Sequence, residues 1–259
     1  MARNKAIKLG CGSITLPRNV AIGDLIVVHV GANAPVEALT ITSPRVTGNF
    51  VLQINSDLTK PNRGAIYAGV ATSAGACTIT NASGNLSFSQ IWAGVILTGT
   101  IPADVTGTAY SAAGSAGNTG TAVVTTGTNR VVIAGVVGWH DGTVFAAVGT
   151  YVDFDYIGGS DAMGVIVMNA PTAGSYTPVM SQSDRDNNPL CIAAFAGTYP
   201  PADGNVMTQL ATEVAAIGES QAVMTQMAVE VAIRLDETET PVSDYTPVTS
   251  VTPIYDGCR

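Results

Sequence analysis

The sequence predicts a mainly β protein, with a β-sandwich body followed by a short repeated segment and an extended tail. Short runs rich in β-branched residues recur through the first two hundred residues, separated by Gly, Asn, Asp and Pro, which is typical of a sandwich or barrel. A twelve-residue motif then occurs twice, and a Pro- and Thr-rich stretch follows it. We therefore expect a β-sandwich over residues 1–200, a repeated docking segment over 201–235 and an extended acidic arm over 236–259.

The strands of the body form two similar series. The Ala74-Gly75 and Ala173-Gly174 steps each predict a turn between two strands. The Gly-rich residues 108–122 between the series favour a flexible crossover between sheets over a loop on the particle surface. We therefore predict a sandwich, jelly-roll or immunoglobulin-like, built from two related halves. Three pairs of segments match in the same order: GDLIVVHVG from residue 23 with TNRVVIAGVVG from 128, AIYAGVATSAGACTIT from 65 with MGVIVMNAPTAGSYTPV from 163, and IWAGVILTGT from 91 with LCIAAFAGT from 190.

The body is expected to end at Tyr199-Pro200-Pro201. Proline cannot donate a hydrogen bond to a strand ladder, and it restricts the residue before it. We place the domain boundary near residue 200 for this reason.

The repeated segment consists of VMTQLATEVAAI, residues 206–217, and VMTQMAVEVAIR, residues 223–234, which are identical at eight of twelve positions. Alternation of an apolar and a polar face slightly favours strands, whereas Ala, Met, Gln and Glu favour a helix. Such short elements cannot bury an apolar face alone. We expect them to dock on the chain's own sandwich or on a neighbouring subunit through four apolar residues: Leu210, Val214, Met227 and Val231.

The arm of residues 236–259 has a different composition. Pro241, Pro247 and Pro253 recur among Thr, Ser and Val, which predicts neither a helix nor a packed domain. Two interpretations stay open: an arm that is disordered alone, or an arm laid along a partner.

Charge and hydrophobicity limit the class of partner. Hydrophobic residues make up 46% of the chain and charged residues 12%, against roughly 25% charged in an average soluble domain. Either much of the surface faces other protein, or it is rich in Ser, Thr and Gly. The formal net charge of −8 disfavours direct contact with nucleic acid, and the basic cluster of Arg3, Lys5 and Lys8 is expected to be a solvated leader.

Membrane insertion and secretion are not expected. No run of about 20 apolar residues occurs, and MARNKAIKLGCGS lacks the apolar core of a secretory signal. The four cysteines include no C-x-x-C pair, so neither a zinc site nor a disulfide framework is expected. Cys77 and Cys191 are predicted to be core residues, and synthesis in a cytoplasm fits this usage.

Two constellations could carry chemistry. Trp139, His140 and Asp141 combine an aromatic ring, an imidazole and a carboxylate, which suits a sugar or a metal, although Asp-Gly at a strand end is also ordinary turn chemistry. Asp153 and Asp155 alternate along a strand and share a face. Paired acids and calcium sites show this arrangement, and so does a strand with one solvated face, which the sequence favours.

Other polar residues are predicted to be structural. The polar stretch 183–188 lacks the glycine and spaced glutamate of an EF-hand, which favours a solvated hairpin or an inter-subunit contact. His29 lies in an apolar, strand-like run and is predicted to be a structural residue. No G-x-S-x-G, P-loop or H-E-x-x-H motif occurs, so we expect no catalytic residue, no cofactor and no metal.

The repeated segment also resembles a known family. VMTQLATEVA and VMTQMAVEVA resemble the paired V-T-Q-x-x-x-E-V segments near the carboxyl end of uncharacterised bacteriophage virion structural proteins. The G-D-L-I-V-V opening at Gly23–Val28 and the A-A-F-x-G closing at Ala193–Gly197 look like β-rich phage modules. The resemblance implies a virion component of the head or the tail, and it supplies no catalytic residues.

We therefore expect a non-enzymatic structural component of the virion, made in the host cytoplasm, that serves as a decoration, connector or spike-base protein. Its expected partners are capsid, portal-proximal or tail proteins and further copies of itself in a homo-oligomer. The alternative is a carbohydrate- or receptor-binding module of a phage spike or fibre. Such a module would contact host surface polysaccharide through Trp139, His140 and Asp141. An enzyme that uses Asp153 and Asp155 is a more distant alternative.

Overall fold

The computed structural model describes residues 5–9, 12–32, 39–56, 63–82, 90–110, 117–138, 145–158, 162–182 and 188–200. The regular secondary structure of these residues consists of antiparallel β-strands, so the prediction of a mainly β chain is confirmed. No helix long and apolar enough to cross a membrane occurs among them. The repeated segment and the arm lie outside the described residues, and their structure stays a prediction.

Eighteen strands run through the described residues, and we divide them into an N-half, residues 5–96, and a C-half, residues 105–196. The strands of the N-half are β1 (Lys5–Leu9), β2 (Ser13–Val20), β3 (Leu25–Ala32), β4 (Ile41–Thr42), β5 (Val51–Asn55), β6 (Arg63–Val70), β7 (Gly75–Asn81) and β8 (Gln90–Ile96). The strands of the C-half are β9 (Val105–Tyr110), β10 (Gly117–Gly120), β11 (Val123–Thr125), β12 (Arg130–Gly138), β13 (Phe145–Val148), β14 (Asp153–Ile157), β15 (Ala162–Ala170), β16 (Gly174–Tyr176), β17 (Val179–Gln182) and β18 (Pro189–Ala196).

The two halves contain five-stranded sheets of matching order. The N-half sheet has the order β1-β8-β3-β6-β5, and the C-half sheet, counted from β9, has the order β9-β18-β12-β15-β14. Smaller sheets accompany them, β2-β7-β4 in the N-half and β10-β17-β13 with β11-β16 in the C-half. The three matching sequence pairs fall on equivalent strands: β3 with β12, β6 and β7 with β15 to β17, and β8 with β18.

The predicted crossover at residues 108–122 contains more strand than its composition indicates. It includes the end of β9 and all of β10, which belong to different sheets of the C-half. Small residues can form these strands because ladder hydrogen bonds join backbone groups and do not depend on the side chain.

Three apolar clusters lie between the sheets. One contains only N-half residues and packs the five-stranded sheet against β2-β7-β4. A second contains only C-half residues. The third, which we call the shared face, combines residues of both five-stranded sheets, such as Val27 and Trp92 of the N-half with Ile133 and Phe195 of the C-half. The sheets are therefore stacked in more layers than one two-layered sandwich has.

This stacking explains the continuous apolar runs of the central strands. Side chains alternate between the two faces of a strand. In β3, Leu25 and Val27 point to the shared face, whereas Ile26 and Val28 point to the core of the N-half. Since both faces of each five-stranded sheet are covered, neither face needs polar residues.

His29 in β3 and Gly135 in β12 occupy matching positions and meet across the shared face. Their cross-strand partners, Ile66 and Val165, are separated along the chain by the same number of residues as the two Ala-Gly steps. A Cβ at Gly135 would lie 2.5 Å from the His29 ring, so the imidazole fills the space that the glycine leaves. The cross-strand partners are Ile66 and Trp92 for His29, and Val165 and Cys191 for Gly135.

We predict that Gly135→Ala destabilises the chain by about 1–3 kcal/mol, because its methyl group would overlap the His29 ring between two packed sheets. The free energy of unfolding in urea measures this. Gly12→Ala is the control, since a Cβ there meets nothing within 4 Å, and its effect should stay within about 0.5 kcal/mol. Equal effects of the two substitutions would contradict the close approach.

Candidate functional site

A cluster of charged side chains joins the edges of the two five-stranded sheets. Lys5 lies on β1, at the edge of the N-half sheet, and Asp153 and Asp155 lie on β14, at the edge of the C-half sheet. The Lys5 ammonium contacts Oδ1 of Asp153 and lies 2.8 Å from Oδ1 of Asp155. These three side chains are only 12%, 11% and 17% exposed, so the edge cluster is an ion triad largely shielded from water.

The remaining carboxylate oxygens of the edge cluster also have donors. Trp92 Nε1 donates to Oδ2 of Asp155 at 2.7 Å, and the Tyr199 hydroxyl donates to Oδ2 of Asp153 at 2.8 Å. Each of the four carboxylate oxygens therefore contacts a donor. The strand alternation Asp153-Phe154-Asp155 makes this possible, because it places both acids on one face.

Electrostatics favour a structural role for the edge cluster. Two carboxylates face one ammonium, and the indole and phenol donors stabilise the remaining negative charge with charge-assisted hydrogen bonds. Burial raises the pKa of the Tyr199 hydroxyl well above its usual value, and the charge of Asp153 raises it further. Tyr199 therefore stays a neutral donor through the physiological range.

An open cleft of about 270 Å³ lies beside the edge cluster. Its charged lining groups, the Lys5 ammonium and the Asp155 carboxylate, are already paired with each other. The cleft therefore offers no unpaired ammonium or carboxylate from these two residues. Its lining residues are Lys5, Ala6, Ile7, Thr15, Pro17 and Asp155.

A second polar group lies deep in the shared face. His29 is fully buried, and neither ring nitrogen has a hydrogen-bond partner. Burial lowers the pKa of His29 from 6.5 to about 3, because the charged imidazolium would lose its hydration. His29 is thus a neutral residue that is buried inside the protein without a hydrogen bond to either ring nitrogen.

Gln90 and Cys191 provide the neighbouring polar atoms of the shared face. Gln90 Nε2 donates to the carbonyls of Gly138 and Ala162, at 3.0 and 3.3 Å, which links β8 to the C-half sheet, while its Oε1 has no partner. The Cys191 thiol donates to the Gly64 carbonyl at 3.3 Å, and burial raises its pKa to about 12. Cys191 and Cys77 are both buried free thiols.

Two interpretations of the sequence are wrong at the edge cluster. Asp153 and Asp155 do share a face, but that face packs against Lys5 and is not solvated. Lys5 itself belongs to strand β1 and is paired, so it is not part of a solvated leader. Lys5 and Asp153 are 148 residues apart. No local pattern links such distant residues, nor does any identify Trp92 or Tyr199 as their donors.

The site residues predicted from the sequence lie outside the described residues. This holds for the docking residues Leu210, Val214, Met227 and Val231, and for Trp139, His140 and Asp141. The strand ends that flank residues 139–144 and 183–187 are neighbours, since Phe145 pairs with Gln182. Within the described part of the chain, no group of three or more His, Cys, Asp or Glu residues could hold a metal ion.

Comparison with known protein families, with curated proteins and with solved structures gave no match. The resemblance of the repeated segment to phage structural proteins therefore stays a prediction.

We predict that Tyr199→Phe destabilises the chain by about 1.5–3 kcal/mol, because it removes a partly buried hydrogen bond to a charged acceptor. Urea unfolding measures this. Tyr176→Phe is the matched control, since its hydroxyl makes a bond of the same length, 2.8 Å, to the exposed Thr172 carbonyl. We expect less than about 0.5 kcal/mol for it. A Tyr199 effect as small as the control would show that the edge cluster contributes little stability.

Proposed function

We propose that this chain is a non-enzymatic structural component of a bacteriophage particle, as a decoration, connector or spike-base protein of the head or tail. The observation that carries the proposal is the pairing of the acidic residues in the described part of the body. All four acidic residues among the described residues, Asp24, Asp104, Asp153 and Asp155, are ion-paired within the body. Net charge keeps soluble proteins apart, so strands whose acids are internally paired, as they are in the described ranges, suit assembly with other proteins.

Exposed apolar side chains support the same proposal. Large apolar residues at the surface of the C-half include Val148, Tyr151, Val152 and Tyr156, which are 36% to 45% exposed. They fall within nine consecutive residues around β14, at the edge of a sheet. Apolar residues gathered at one surface often mark contacts between proteins.

The body is proposed to consist of two related halves stacked on each other, each half a β-sandwich of jelly-roll or immunoglobulin-like type. The matching order of the five-stranded sheets and the matching Ala-Gly steps support descent of the halves from one duplicated unit. A duplicated unit offers two similar outer surfaces, which suits a protein that bridges neighbouring subunits.

The region after residue 200 is proposed to attach the body to the particle. It carries the repeated apolar residues Leu210, Val214, Met227 and Val231, and it contains nine acidic and two basic residues. The acidity disfavours nucleic acid as the partner. Capsid, portal-proximal or tail proteins, together with further copies of the chain, are the proposed partners, and the virion is the proposed location.

The edge cluster supports a role without catalysis. A general base or a nucleophile needs an available oxygen, but the oxygens of Asp153 and Asp155 are held by Lys5, Trp92 and Tyr199. Glycoside hydrolysis through this pair would first require the triad to be dismantled.

We predict that particles of the phage whose genome encodes this chain contain it, and that Leu210→Asp with Met227→Asp lowers its content at least about tenfold. A carboxylate placed in an apolar contact loses hydration without compensation, and 1.4 kcal/mol already corresponds to a factor of ten. Quantitative mass spectrometry of purified particles measures the content. Gln209→Asp with Gln226→Asp is the control, since these residues are already polar, and it should keep near-normal content. Wild-type particles without the chain would overturn the proposal.

Carbohydrate or receptor binding by a spike or fibre is the second candidate function. The pairing of Phe145 with Gln182 favours it, because the strands next to residues 139–144 and 183–187 end side by side. Loops gathered at one end of a sandwich commonly form recognition surfaces.

We predict for this second candidate that binding to a host surface polysaccharide is lost in Trp139→Ala, because stacking on the indole would supply most of the contact area. A glycan array with the purified full chain measures this. Tyr151→Ala serves as the control, since it removes an exposed aromatic residue elsewhere. Absence of binding by the wild-type chain across host polysaccharides would exclude this function.

A further inference from the structure

The shared face contains a buried imidazole that no acid compensates. His29 points from β3 towards β12, and its ring lies against the backbone of Gly135. Both ring nitrogens lack a hydrogen-bond partner, and the side chain is 0% exposed. A protonated imidazole would need two hydrogen-bond acceptors and a counter-charge, and neither ring nitrogen is paired with an acceptor in the closed form.

The groups that face His29 from the surrounding strands are nearly all apolar. Gly64 and Ile66 on β6, and Val165 on β15, carry no ionisable side chain. Cys191 on β18 is the titratable group, and it stays neutral because burial raises its pKa to about 12. Trp92 on β8, the cross-strand neighbour of His29, donates to Asp155, which shares the Lys5 ammonium with Asp153.

The two halves do not depend on the shared face for their internal packing. The N-half has its own cluster, which includes Cys77, Ile79 and Tyr67, and the C-half has another, which includes Phe145 and Met180. The shared face is the one cluster of the three that contains residues of both halves. Separation there would expose His29 to water while leaving both internal cores covered.

We propose that His29 makes the contact between the two halves acid-sensitive. Its imidazole gains a proton only when the five-stranded sheets separate, so a fall in pH raises the fraction of molecules whose halves are apart at the shared face.

The direction of the pH effect follows from the protonation of His29 in the closed form and in the open form. The closed form holds the pKa of His29 near 3, below the 6.5 of a free imidazole. The neutral histidine therefore stabilises the closed form fully above about pH 6.5, and this stabilisation is lost as the pH falls towards 3. Opening takes up one proton in this window, so the opening equilibrium constant should rise about tenfold for each pH unit well below 6.5.

Two buried cysteines can report the opening, because they lie in different clusters. Cys191 belongs to the shared face and Cys77 to the N-half core. With Cys11→Ser and Cys258→Ser in the full chain, a neutral disulfide reagent such as 4,4′-dithiodipyridine labels only these two thiols. Each labelling rate is divided by that of a free thiol peptide at the same pH. The quotient then reports the fraction of molecules in which that thiol is accessible.

The expected result is a normalised rate for Cys191 that rises about eightfold between pH 6.0 and 5.0, with no such rise for Cys77. In His29→Leu the normalised labelling rate for Cys191 should become independent of pH. His29→Gln, which keeps a polar side chain but cannot titrate, should behave like His29→Leu, and it tests the proposal if the leucine variant does not fold. His140→Gln changes the other histidine of the chain and should keep the wild-type rise.

Three outcomes would overturn the proposal. The first is a normalised labelling rate for Cys191 that does not depend on pH in the wild-type chain. The second is a rise that persists unchanged in the variants of His29. The third is a parallel rise for Cys77, which would mean that acid unfolds the N-half and does not separate the halves.

Discussion

The packing of the two five-stranded sheets against each other is the constraint on which the other features depend. Each of these sheets is covered on both faces, by the shared face on one side and by the core of its own half on the other. Charged residues are disfavoured in the middle of such strands because burial removes their hydration, and those present lie on edge strands or at strand ends. The unusually low charge of the chain follows in part from this arrangement, and so do the continuous apolar runs of β3, β12 and β18.

The shared face depends on pairs of large and small residues at matching positions of the halves. His29 packs on Gly135, and two residues further along each strand the sizes are reversed. A Cβ at Gly31 would lie 2.5 Å from the side chain of Val137. If both halves carried histidine at the first position, two rings would compete for one space. The halves share a strand order, yet they are not interchangeable, because each provides the space that the other fills.

The edge cluster lies at the side of the same interface between the two five-stranded sheets. Lys5, Asp153 and Asp155 bring the edges of the two sheets together, and Tyr199 ties the end of the described body to that point. Their alternation on a strand indicated correctly that the two acids share a face. Their partners could not be predicted, because a lysine 148 residues away and an indole within an apolar run leave no signal in the local sequence. For the same reason the sequence favoured a solvated face where the structure has an ion triad.

The sequence by itself determined the β class, the two matching series of strands and the turn at each Ala-Gly step. These depend on local periodicity and on glycine, at Gly75 with a φ of +127°, and such signals lie within a few neighbouring residues. Only the tertiary structure decided how the sheets stack, which face of each strand meets the other half, and which side chains oppose His29. An apolar run has the same sequence pattern whether its two faces pack against one core or against two. The partners of a buried group are set by packing between segments that are far apart in the chain.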